Sequence, residues 1–337
     1  SIMAVAQWIG QWAWVIAPWF WVLMYDQDWF PSAEVATREL AIWVGAIFMI
    51  CAMVPAIFIK SESTVDRDDY MPLTISNIGK GFVGIARGFI EAFSSIPFVR
   101  ISISTFFVFN AFNSVAAFTF FVIVYHLFGG DAGAAGVWPA LFGCLGALTT
   151  TFLVIPTVPI LCKRFGKKNA FMLCQGISII GYILLWFLFI PGKPYMFIFA
   201  LPFFSFGIGS LFTIKMSMTA DIIDLDELKN GQRREGVFGA IYWWMVKFGF
   251  AIAGGLSGVI ISAVGFDTGA EVAPGEPWPG INGLRFWFSA LPIGGTLIAM
   301  AIMNGYDLTE ERAHEIRAEL EARKTEKELE LIDHLVE

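Results

Sequence analysis

The sequence predicts an all-α membrane protein that crosses the bilayer many times. Two observations of composition point there. Hydrophobic residues make up 57% of the 337 residues and charged ones only 15%, against about 25% charged in a soluble domain. The mean hydropathy is +0.67, and 13 Trp and 34 Phe are more than a soluble core of this size would bury. The third observation is a set of eight separate apolar runs, each long enough to cross about 30 Å of hydrocarbon. Backbone groups in lipid must be satisfied within their own segment, so these runs are expected as helices.

The runs cover residues 2–24, 39–59, 99–128, 137–161, 169–190, 195–220, 236–264 and 284–304. The first carries Gln7 and Gln11, either lining a cavity or bonding another helix. Pro18, Pro139, Pro156, Pro159, Pro202 and Pro292 lie in or near the ends of runs and predict kinks. A long connection, 60–98, opens with SESTVDRDD. Ile78, Phe82, Ile85, Phe89 and Phe93 then recur at helical spacing, as in an amphipathic helix against the membrane face. The third run holds Asn110 and Asn113 on one face. A basic turn, CKRFGKK (162–168), joins the fourth run to the fifth. In the seventh run Gly254 and Gly258 form a GxxxG, a signal for close helix packing. Beyond Gly305 the tail is charged. Asp307 with Glu310 resembles a helix cap, and Ala313, Ile316 and Leu320 give a narrow stripe, so a solvated cytoplasmic helix is expected over 306–337.

Basic residues set the orientation. Seventeen of the 22 Lys and Arg fall on one set of connections and only Arg38, Lys193 and Arg285 on the other, with Lys215 and Lys247 inside runs. The first set is expected to be cytoplasmic, in the cell membrane, with both the chain start and the tail on that side. Two runs (1–59), a linker (60–98), six runs (99–305) and a tail (306–337) match a protein built as six plus six helices, with eight of twelve present and the chain cut within a longer one.

The stretch from Asp221 to Lys247, DIIDLDELKNGQRREGVFGAIYWWMVK, is the densest in chemistry. Asp221 and Asp224 share a helical face, close to Glu227, Arg233, Arg234 and Glu235. With Lys163 and Arg164 of the basic turn, these are expected to close the cytoplasmic end through ion pairs that part in another conformation. Lys247 stands 12 positions after Glu235, about 18 Å along the helix. A stem of about 6 Å does not reach either surface, so the amine is expected in an aqueous pathway. Tyr242, Trp243 and Trp244 stand beside it and suit the apolar faces of sugar rings, as well as packing between helices. Lys215 is only about 9 Å from the acids and close enough to snorkel. An enzyme would need paired carboxylates, a Ser/His arrangement or a metal cluster near one face. The only acid cluster is interleaved with basic residues and no histidine is near it, so an enzyme is not expected, and nucleic acid is not an implied partner. The four cysteines form no CxxC.

The stretch ADIIDLDELKNGQRREGVFGAIYWWMVKFGFAIAGG resembles the tenth-to-eleventh-helix region of the glycoside–pentoside–hexuronide:cation symporters of the major facilitator superfamily. The pattern places Asp221, Asp224, Glu227, Arg233, Arg234–Glu235–Gly236 and Lys247, with Phe248 before Gly249. The resemblance implies a major facilitator fold working by alternating access, in which Na+ or H+ moves with a sugar or glycoside. It implies Lys247 near the sugar and cation sites and the acids with Arg233 in a cytoplasmic network. Trp243 departs from the small polar residue at this place in the family. The pocket expected is therefore Lys247, Trp243, Trp244, Tyr242, Asn110 and Asn113. The main cation-binding acids of the family lie on helices absent from this chain, so no metal ligand is identified in it. No cofactor beyond the coupling cation is expected, and the partners are solute, monovalent cation and membrane lipid, with the protein acting as a monomer. A cation-coupled symporter of lysolipids or other organic solutes is the alternative.

Overall fold

The computed structural model describes residues 2–25, 28–58, 83, 87–273 and 276–336. Its helices are α1 (Ile2–Ile16), α2 (Trp19–Tyr25), α3 (Ala33–Phe58), α4 (Ile96–Phe121), α5 (Trp138–Thr149), α6 (Ile155–Leu188), α7 (Leu201–Asn230), α8 (Glu235–Ala263), α9 (Ile281–Asn304) and α10 (Glu310–Val336). Most of the 60–98 connection, with Ile78, Phe82 and Ile85, lies outside the described residues. Its end, 87–93, is helical. It sits on the bundle through buried Ala92 and the edge-on rings of Phe93 and Phe98.

Among the described residues six helical stretches are long and apolar enough to cross a membrane: Glu34–Phe58, Ile96–Leu127, Ala132–Leu188, Pro194–Asn230, Glu235–Ala263 and Ile281–Asn304. Two departures from the expected runs have local causes. The first run divides into α1 and α2 at residues 17–18, where Pro18 interrupts the backbone ladder. The Ala132–Leu188 stretch has 57 residues, far more than one crossing needs. It breaks at Gly166, whose φ of 76° and ψ of 159° are not helical and which only glycine adopts at little cost. Wide turns at Val122–Leu127 and Thr150–Val154 extend α4 and α5. The second directly precedes Pro156, which lacks the N–H of a regular turn. Pro139 and Pro202 sit in the first turns of α5 and α7, where that missing donor does no harm.

α4 stands at the centre, packed against α8, α9 and α7, while α6 pairs with α7 and α1 lies on α5. It is accordingly buried on several sides: Phe98, Val108, Val115 and Phe118 are fully buried, and so are the small polar Ser102, Ser104 and Thr105. In lipid this packing rests on van der Waals fit and close backbones rather than on removal of apolar surface from water. Gly181 illustrates it: a Cβ there would lie 2.3 Å from the backbone nitrogen of Phe204. The core has one cluster around Phe98, Phe171, Met218 and Phe238 and another around Phe118, Phe142, Phe189 and Phe288.

The GxxxG expectation is corrected. No described atom lies within 4 Å of a Cβ built at Gly254 or Gly258, and both are exposed. The close approach of α8 falls instead at Gly249, whose Cβ would meet the carbonyl oxygen of Phe106 at 3.0 Å. The tail is likewise more than a solvated helix: Ala313, Ile316 and Leu320 are buried against α7.

Candidate functional site: a charged end and an open mid-helix face

α7 ends at Gly231, whose φ of 69° gives the left-handed cap that stops a helix. After three more residues α8 begins, with Glu235 in its first turn. This short connection folds the acids of α7 against the basic residues of the hinge. Arg233 Nη1 donates to Asp224 Oδ1 at 3.1 Å and to Glu227 Oε2 at 2.6 Å, and its Nε donates to Glu235 Oε1 at 2.6 Å. Arg234 donates to Asp226 through Nε at 2.8 Å and Nη2 at 2.6 Å, and also to Glu91. Hydrogen bonds from these carboxylates, led by Glu227 for Arg233 and Asp226 for Arg234, hold both guanidinium pKa values above their ordinary range.

The structure therefore brings Asp221, Asp224, Glu227, Arg233, Arg234 and Glu235 into one cluster and adds Asp226 and Glu91. Lys163 and Arg164 are corrected. Both are exposed, and Arg164 lies over the Phe165 ring at 5.4 Å. The reason is the break at Gly166, after which Lys167 and Lys168 open the next arm. Lys167 pairs with Asp221. Lys168 Nζ donates to the carbonyls of Asn304 at 2.6 Å and Tyr306 at 3.0 Å. A cavity of about 220 Å³ lies here, lined by Lys167, Met218, Asp221, Tyr306 and Glu310 among others. Burial, then Asp221 and Asp307, push the Tyr306 hydroxyl up.

Three of the residues expected in one pocket on α8 point in different directions, because successive positions on a helix turn by about 100°. Tyr242 faces the core, 2% exposed, with its hydroxyl unpartnered. Trp243 is 45% exposed and stacks on Phe212 of α7, with ring centroids 6.1 Å apart. Trp244 is exposed on another side, stacked on Phe248 at 5.2 Å, with Phe89 beyond it at 6.5 Å. The Tyr242 ring meets that of Trp243 edge-on from the core side, with centroids 5.8 Å apart. Lys247 is exposed on the open side of α8, one turn from Trp243. Asn110 Nδ2 donates to the Gly249 carbonyl at 3.2 Å and ties α4 to α8. Asn113 donates to its own helix, to Phe109 O at 2.8 Å. Both amide groups are therefore engaged within the bundle. Gln11 is buried, whereas the side chain of Gln7 lies outside the described residues.

Among the described residues the fully buried cation is Lys215, not Lys247. It does not snorkel. Its Nζ donates to Ser104 Oγ of α4 and lies 4.1 Å from the centroid of Phe171. The Ser104 hydroxyl donates in turn to Ile101 O at 3.0 Å, which leaves its lone pairs to the amine. The sequence signal for this site is the run Ser102, Ser104, Thr105 among apolar neighbours in the first half of α4.

The sequence profile of the MFS/sugar transport protein family matches residues 1–310. A glucuronide carrier protein homolog of Escherichia coli (strain K12) is 28% identical over 66% of this chain and 43% of its own length. An uncharacterized symporter of Bacillus subtilis (strain 168) is 25% identical over 74% of this chain and 49% of its own length. An isoprimeverose transporter of Lactiplantibacillus pentosus is 32% identical over 36% of this chain and 26% of its own length. The chain thus spans about half the length, or less, of the curated relatives it matches. A profile match over nearly the whole chain, together with apolar helices of crossing length, makes this an integral membrane protein of the MFS/sugar transport protein family.

Proposed function

We propose that the chain belongs to a secondary transporter that carries a sugar or glycoside together with Na+ or H+ across the cell membrane by alternating access. The observation that carries this reading is the position of Lys247. It lies about 18 Å from the start of α8 and is open on a face shared with Trp243 and Phe212. An amine so placed is costly in lipid and is stabilised where another set of helices encloses water and solute against this face. A transporter of the relatives' length has room for such a set. Counting the two arms around Gly166 separately, and α1 with α2 as one pass, gives eight of a six-plus-six arrangement.

In this account Trp243 and Phe212 offer a ring face to the sugar, Lys247 a hydrogen-bond donor, and the charged end is the cytoplasmic gate. The transporter acts as a monomer, with chain start and tail on the cytoplasmic side. The exposed aromatic stripe of Trp244 and Phe248 also suits the tails of a lysolipid, the second reading. Uptake by the full-length protein in vesicles with an imposed Na+ or H+ gradient separates the two, because sugars compete only under the first. Lys247→Ala is expected to abolish accumulation with normal membrane expression. Undiminished accumulation would remove Lys247 from the site.

A further inference from the structure

Three of the four acids of α7 at the charged end, Asp221, Asp224 and Glu227, each have two cationic partners, one from the bundle and one from the tail. Asp221 is held by Lys167 and by Arg317 Nη2 at 2.5 Å. Asp224 is held by Arg233 at 3.1 Å and by Arg317 Nε at 3.1 Å. Glu227 is held by Arg233 at 2.6 Å and lies 3.7 Å from Lys324 Nζ. The planar guanidinium of Arg317 therefore spans two carboxylates on successive turns of one helix face. Asp221 is 4% exposed, so the tail also covers it from solvent.

The root of the tail is pinned through backbone carbonyls, whereas its body is held through side chains. Arg100 donates to the Gly305 carbonyl and Lys168 to the carbonyls of Asn304 and Tyr306. Further along, α10 is held by the stripe of Ala313, Ile316 and Leu320, by Arg323 Nη1 on the Leu228 carbonyl at 3.2 Å, and by ion pairs whose basic side chains, Arg317 and Lys324, are 44% and 61% exposed. Pairs open to solvent on one side are weakened by salt. A pinned root followed by a helix held by a narrow stripe and salt-sensitive pairs is the arrangement of a strap.

We infer that α10 is a latch on the charged end: Arg317 occupies Asp221 and Asp224 and must withdraw before these acids can take partners from elsewhere in the transporter. This rests on the gate reading above. Undocking leaves each acid one bundle cation and one open side, so the tail competes directly with any basic group that would close the gate from the other half. Its position sets how readily this end opens.

The test uses the full-length protein in membrane vesicles with its native cysteines replaced. Ala313→Cys, on the buried face of the tail one turn before Arg317, reports undocking through its rate of reaction with a membrane-impermeant maleimide applied to the charged side. Arg317→Gln is expected to raise that rate about fivefold or more, the change for loss of a modest contact, with Arg317→Lys between the two. An unchanged rate in Arg317→Gln overturns the latch. A second arm keeps Arg317. Cysteines at Leu228 and Arg323 are joined by a reductant-cleavable bifunctional thiol reagent, and solute uptake is expected to fall about tenfold and return on reduction. Full uptake with the link in place also overturns the proposal. The labelling arm needs no solute, so its result stands apart from the sugar-symport reading, which fails if the unmodified protein accumulates no glycoside.

Discussion

Ser104→Ala is the most informative change at the buried cation, because the structure fixes what is lost. The Lys215 amine is fully buried and its protein hydrogen bond goes to Ser104 Oγ. Removing that hydroxyl leaves a buried donor without its acceptor, which costs about 1–3 kcal/mol. Lys215→Met removes donor and amine together while keeping most of the volume, and replacing both partners by apolar groups is close to neutral. In a chain of this size about 1 kcal/mol moves the melting temperature by roughly 2 °C. Ser104→Ala is therefore expected to melt about 2–6 °C lower. Lys215→Met, and the double variant Ser104→Ala/Lys215→Met, are expected to stay near the wild type. The assay is thermal melting of detergent-purified protein followed by Trp fluorescence. If Ser104→Ala melts like the wild type while Lys215→Met is strongly destabilised, the hydroxyl is not what stabilises the amine, and the reasoning fails.

Two other changes probe the charged end and the tightest helix contact. Exchanging the charges of Asp224 and Arg233 together should recover more uptake than either change alone. Recovery should stay partial, because the swap sets a guanidinium at position 224 beside Arg317 and a carboxylate at position 233 beside Glu227 and Glu235. Complete recovery, or none, would show that the pair does not work within this network. Gly249→Val should destabilise by about 1–3 kcal/mol, since a Cβ already meets the Phe106 carbonyl at 3.0 Å, and an unshifted melting temperature would contradict the close α4–α8 contact.

Much of the architecture was legible because hydropathy and helical length are one-dimensional signals. The apolar runs became helices, and the alternation of acids and bases from Asp221 to Glu235 became a network through a short hinge that Gly231 opens. Residue-level choices were legible only where local geometry is regular. Lys163 and Arg164 were expected at the gate, but the left-handed turn at Gly166 delivers Lys167 and Lys168 instead. Adjacency in sequence suggested that Tyr242, Trp243 and Trp244 act together, whereas helical rotation sends Trp244 to Phe248 and leaves Tyr242 in the core, edge-on to Trp243. The roles of Lys215 and Arg317 depend on partners 111 and 96 residues away in sequence, which no local pattern encodes. The tail stripe of Ala313, Ile316 and Leu320 was visible, but its narrowness gave no sign that a long-range ion pair would reinforce it.

The position of Lys247 on an aqueous solute pathway is tested most directly by replacing it with cysteine in the otherwise cysteine-free full-length protein. A charged, water-soluble thiol reagent should modify Lys247→Cys readily, and should leave Ile252→Cys, an exposed apolar position turned about 140° from Lys247 around the same helix, almost untouched. If Lys247→Cys is as unreactive as Ile252→Cys in every gradient and solute condition, the amine faces lipid or a sealed contact, and the transport mechanism built on it is wrong.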